Sequence, residues 1–107
     1  MFIRVKYIRD AVLYVEAKGK LDIYNEQDYF DEIKKHLHYI KELILDFSQI
    51  DYVASIGLRG LLELHKIMQE HEDCHIKLKN VKEEVLSVFK ITGFDKFLII
   101  ENDSEEG

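Results

Sequence analysis

The sequence predicts one α/β domain: a mixed, largely parallel sheet of four to five strands with three helices, in the order β-β-α-β-α-β-α-β. Three observations carry this. Short apolar or alternating stretches recur at Ile3–Tyr7, Ala11–Ala17, Leu43–Phe47, Ile76–Leu78 and Phe97–Ile100. From the second stretch onward, segments with helical spacing separate them. Strands that alternate with helices need crossover connections, which favour parallel neighbours. A chain of 107 residues supports one core and not two, burying about 65% of its unfolded surface.

Each element has its own signal. Ile3, Val5 and Tyr7 alternate with Arg4 and Lys6, and Ala11–Ala17 follows closely enough to pair with them as a hairpin. A helix starts at Asn25, with Asp28 completing a weak capping box and Tyr29, Phe30, Ile33 and Leu37 on one face. Leu43–Phe47 is so apolar that it reads as a strand covered on both faces. Over Ser55–Glu70, Leu58, Leu61, Leu62, Leu64 and Met68 fall in one arc, opposite Arg59, Glu63, Lys66 and Glu70, and Ser55 reads as the N-cap. Ile76 and Leu78 alternate with polar neighbours. Asn80 and Glu83 form a capping pair for a helix through Val85, Val88 and Phe89, which Gly93 stops. The expected core is Leu43, Ile44, Leu45, Leu58, Leu61, Leu62, Ile76, Leu78, Val85 and Phe89. The domain is expected to span residues 1–100, with residues 101–107 an acidic, disordered tail.

Composition excludes several function classes. Hydrophobic residues make up 47% and charged ones 34%, too apolar for a disordered chain. The formal net charge of −6 repels phosphate backbones, so nucleic acid is not an expected partner. The longest apolar run, Ala11–Val15, is far short of the ~20 residues a membrane helix needs, so no membrane insertion is expected. Met1–Asp10 has no secretory pattern, and a single cysteine, Cys74, fits a reducing compartment. A cytoplasmic location is expected.

In open α/β sheets functional groups collect beyond the carboxyl ends of the strands. Two segments there are informative. Gly19–Asp22, G-K-L-D, reads as a glycine turn leaving the second strand with a carboxylate behind it. Phe47–Leu62 carries a strand through a loop at Gln49–Ala54 into the helix whose first hydroxyl is Ser55. A phosphate on Ser55 would meet the positive end of the helix dipole, adding about 1.5 to 2 negative charges near Asp51, Asp22 and Asp46. Gly57 and Gly60 cost the helix about 1 kcal/mol each, which suggests close approach by another backbone, a partner's included.

G-K-L-D, then L-I-L-D-F-S-Q-I-D-Y-V-A-S-I-G-L, then I-T-G-F-D-K-F before a last strand, resemble the STAS domain of bacterial anti-sigma factor antagonists over Ile3–Ile100. The resemblance implies a protein that is no enzyme and needs no cofactor. It implies two partners, an anti-sigma factor serine kinase that the unphosphorylated protein binds, freeing the sigma factor, and a serine phosphatase that resets it. Ser55 then falls on the phosphorylated serine, Gly57 and Leu58 on the last motif positions, and Asp22 near the partner-docking surface. The family's Asp before the serine is Ala54 here, and its second Ser is Ile56. The partner-binding set is Asp22, Asp51, Ala54, Ser55, Ile56, Gly57 and Arg59, on a chain expected to be monomeric when free.

Other readings compete with this one. A receiver domain would use Asp46 as phosphoacceptor, but Tyr7–Asp10 and Glu101–Asp103 supply neither its acidic pair nor its lysine. A constitutive STAS subunit of a signalling or transporter assembly is argued by Ala54. His71, Cys74 and His75 fit no zinc spacing, His65 reads as a half-buried imidazole, and His36 and His38 lie on different helix faces, so no metal is expected.

Overall fold

A computed structural model describes residues 2–9, 11–21, 31–35, 37, 40–70, 74–96 and 98–101. The hairpin β1 (Phe2–Arg9) and β2 (Val12–Leu21) opens the chain. Residues 31–34 are helical, and β3 (Glu42–Val53), α1 (Ser55–Gln69), β4 (His75–Lys79), α2 (Glu83–Thr92), a 3₁₀ turn at Phe94–Lys96 and β5 (Ile99–Glu101) follow. The strands lie in the order β1-β2-β3-β4-β5. β1 is antiparallel to β2, and β2 to β5 run parallel. The expected α/β order and mixed, largely parallel sheet are therefore what the chain forms. The start of the first helix at Asn25, its Asp28, Tyr29 and Phe30, and the segment 102–107 lie outside the described residues. Glu101, read as the first tail residue, is the last residue of β5.

The core lies on one face of the sheet. Leu13, Val15 and Ala17 of β2, Leu43, Leu45 and Phe47 of β3, and Ile76 and Leu78 of β4 are buried, together with Ile33 and Leu37. Leu61, Leu64 and Met68 of α1 and Val85 and Phe89 of α2 close over them. Phe47 and Phe89 stack obliquely with ring centroids 6.5 Å apart. The alternate residues Tyr14, Glu42, Ile44, Asp46, Lys77 and Lys79 are only half-buried. This corrects the reading of Leu43–Phe47 as covered on both faces and of Ile44 as core: side chains alternate along a strand, and the buried set lies on one side.

α1 corrects a second expectation. Its buried stripe is Gly57, Gly60, Leu61, Leu64 and Met68, while Leu58 and Leu62 are half-buried at its flank. Hydropathy alone centres the arc on the leucines. The structure turns the helix so that its glycines face inward, because a residue without a side chain lets helix and sheet backbones come closer. Gly57 and Gly60 are buried within the chain's own fold.

Candidate functional site

Two irregularities shape the carboxyl end of β3. Glu16 pairs with Asp46, Lys18 with Gln49, Gly19 with Ile50 and Lys20 with Tyr52, so β3 gains one residue on β2 at each of two bulges. Burial there recurs every third residue, at Phe47, Ile50 and Val53. A bulge twists a strand and re-aims its side chains. Two sequence readings are corrected accordingly: Gln49–Val53 is strand rather than loop, and Gly19, at φ +101°, is an irregular residue inside β2 rather than a turn beyond it.

Beyond Val53 the chain enters α1. Ala54, not Ser55, is the N-cap, with extended φ −85° and ψ 172°, and no side chain caps the helix. The Ala54 carbonyl accepts from Gly57 N at 2.9 Å and from Leu58 N at 3.1 Å. Ser55 is the first helical residue and is exposed, so its hydroxyl is not committed to capping as the sequence suggested. No acidic residue occupies the first turn, which leaves the positive end of the helix uncompensated by its own side chains. Around Ser55, Ala54 and Ile56 are half-buried, Gly57 is buried, and Arg59 is exposed.

Asp51 is exposed at the second bulge and pairs with the Lys82 ammonium. That hydrogen bond and charge hold the Asp51 carboxyl below the usual aspartate range, with Lys20 adding to the effect. Lys82 is the N-cap of α2, again with no side-chain cap, which replaces the expected Asn80–Glu83 box; Asn80 adopts φ +59° instead. Sequence reasoning missed Lys82, which follows the carboxyl end of β4, where functional groups collect in such sheets. An open depression of about 230 Å³ lies here, lined by Lys18, Gly19, Gln49, Asp51 and Lys82. Tyr52, 54% exposed, stands beside it in sequence and was also missed.

Not every expected residue joins this site. Asp46 lies seven residues before Val53, a strand length of about 20 Å, and accepts from Tyr14 Oη at 3.1 Å and Ser48 N at 2.9 Å. It is not a neighbour of Ser55. Asp22 and His71 lie outside the described residues, as do His36 and His38. Cys74 Sγ is 3.9 Å from the Ile40 carbonyl, whereas His75 Nε2 meets Glu42 Oε2 at 2.9 Å, so the two have different partners. Among the described residues no group of three His, Cys, Asp or Glu could hold a metal ion. His65 is half-buried, and burial pushes its imidazole below the usual range.

The chain belongs to the STAS domain family, whose model matches residues 4–107. Solved structures agree on the fold. The anti-sigma factor antagonist SpoIIAA in its unphosphorylated form superposes with a TM-score of 0.82 at 15% identity, covering 97% of this chain and 90% of that one. The Bacillus cell fate determinant SpoIIAA in the phosphorylated form gives 0.74 at 14%, covering 97% and 93%. A sulfate transporter family protein from Wolinella succinogenes gives 0.75 at 16%, covering 90% and 80%.

Proposed function

We propose that the chain is an anti-sigma factor antagonist of the bacterial cytoplasm: it binds an anti-sigma factor of the serine-kinase type and so releases a sigma factor. Phosphorylation of Ser55 by that kinase ends the complex, and a serine phosphatase restores it. The protein acts by binding and not by catalysis, needs no cofactor, and is a monomer when free. The observation that carries this reading is the exposed Ser55 hydroxyl at the first position of a 15-residue helix whose first turn holds no carboxylate. A kinase can reach such a hydroxyl, and the dipole tolerates the phosphate. The docking face comprises Asp22, Asp51, Ala54, Ser55, Ile56 and Arg59, with Gly57 buried behind it.

A phosphate on this face must be desolvated on docking. An unpaired interfacial charge costs about 2–5 kcal/mol, a factor of about 30 to several thousand in affinity. Mass spectrometry after incubation with the cognate kinase and ATP tests the switch: one phosphate on Ser55 and none on Ser55→Ala is expected. Ser55→Asp should bind the anti-sigma factor more weakly than wild type. No phosphate, with binding indifferent to Ser55→Asp, overturns the switch.

A second reading has its own observation. Ala54 lacks the carboxylate that the family places before the serine, which favours a constitutive, unphosphorylated STAS subunit of a signalling or transporter assembly. The same kinase experiment separates the two.

A further inference from the structure

Arg59, exposed on α1, has no ion pair or hydrogen bond among the described residues. The reason lies in its neighbours along the helix. Side chains on a helix meet at spacings of three and four, which for Arg59 are Ser55, Ile56, Leu62 and Glu63. Glu63 is the one carboxylate among them, and another element holds it: Lys34 Nζ donates to Glu63 Oε1 at 3.0 Å. Ser55 is the other polar neighbour, exposed like Arg59, and no acidic residue of the first turn competes with it. Helical side chains tilt toward the amino end, so the stem of Arg59 leans back toward Ser55. At this spacing the two Cβ atoms are about 5–6 Å apart.

We propose that Arg59 is the intrachain partner of a phosphate on Ser55. The inference rests on the reading of Ser55 as the modified residue and adds what holds the modified state. Transfer of the γ-phosphoryl group of ATP forms the Oγ–P bond, breaks the bond to ADP and releases the hydroxyl proton. The product is a monoester of about −1.5 to −2 charge with three acceptor oxygens. A guanidinium meets such oxygens through two parallel N–H donors. An anion followed four residues later by a cation is also the favourable order on a helix. Phosphorylation then changes the docking face twice. It adds a charge that one guanidinium neutralises only in part, and it withdraws the guanidinium that the unmodified protein offers to the anti-sigma factor. Of the other charged groups nearby, Asp51 is taken up by Lys82, and Lys20 stands at the end of β2 in register with Tyr52. Lys20 is therefore the competing cation.

The full chain with phosphoserine placed at position 55 during translation tests the pairing without any kinase. Its ³¹P resonance is followed through the loss of the second phosphate proton, near about pH 6. The midpoint should lie about half a pH unit higher in Arg59→Gln than in wild type, because an opposite charge at this range favours the dianion and solvent screens part of the effect. Arg59→Lys should recover part of the difference, since it keeps a point charge and loses the two-pronged geometry. Lys20→Gln should titrate as wild type does, and about 1 M salt should shrink the gap. Equal midpoints in wild type and Arg59→Gln overturn the proposal, as does a shift that follows Lys20 instead of Arg59. A kinase that leaves Ser55 unmodified rejects the switch itself, so the two failures are read from different experiments.

Discussion

Asp51 and Lys82 are joined by an ion pair across thirty-one residues of chain, tying the last bulge of β3 to the N-cap of α2. The carboxyl end of β3 is thereby fixed, four residues before Ser55, to a helix that packs on it. The pair is solvent-exposed, with side-chain exposures of 61% for Asp51 and 39% for Lys82. Its effect on stability is therefore small, and it acts on the shape of the site.

Its pH dependence has a defined sign. Asp51 titrates lower in the fold than in the unfolded chain, chiefly through its hydrogen bond to Lys82. The stabilisation is present above the ordinary aspartate value, about pH 4, and is lost as pH falls through the lower folded value. Melting temperatures of wild type and Asp51→Asn should differ at neutral pH and converge only in acid strong enough to lie below the lowered folded value of Asp51. A difference that persists there contradicts the assignment.

Ala54 occupies the N-cap in extended geometry but offers no side-chain acceptor. Ala54→Asp or Ala54→Ser should stabilise the protein by about 0.5–2 kcal/mol. Ser55→Ala, by contrast, should leave the melting temperature nearly unchanged, because Ser55 caps nothing. Denaturant titration of the three variants checks both statements, and a costly Ser55→Ala would return the cap to Ser55.

Leu61 is fully buried, whereas its neighbour Leu62 is only half-buried. Leu61→Ala should cost about 2–5 kcal/mol, and Leu62→Ala about 1 kcal/mol. Equal losses would place the leucine arc, and not the glycines, against the sheet. Deletion of residues 102–107 should leave the unfolding midpoint almost where it was, since this polar, acidic stretch has no apolar side chain to bury.

Arg59 is exposed on the flank of α1 away from the buried stripe. Arg59→Ala should weaken binding of the anti-sigma factor without altering the melting temperature, and Asp22→Ala should do the same. Calorimetric titration of both variants against the kinase decides it; unaltered affinity in both moves the interface elsewhere.

Element order is legible in the residues alone, since alternation at Ile76–Leu78, helical spacing at Ser55–Glu70 and the C-cap at Gly93 are local signals written in neighbouring residues. The sequence also marks Ser55, through the motif that surrounds it. The remaining features depend on contacts between distant segments. Hydropathy ranks Leu58 and Leu62 above Gly57 and Gly60, but the approach of α1 to β3 and β4 sets which side is buried. The bulges at Gln49 and Tyr52 exist only in the register of β3 against β2. Lys82 is an ordinary lysine until a bulge turns Asp51 toward it.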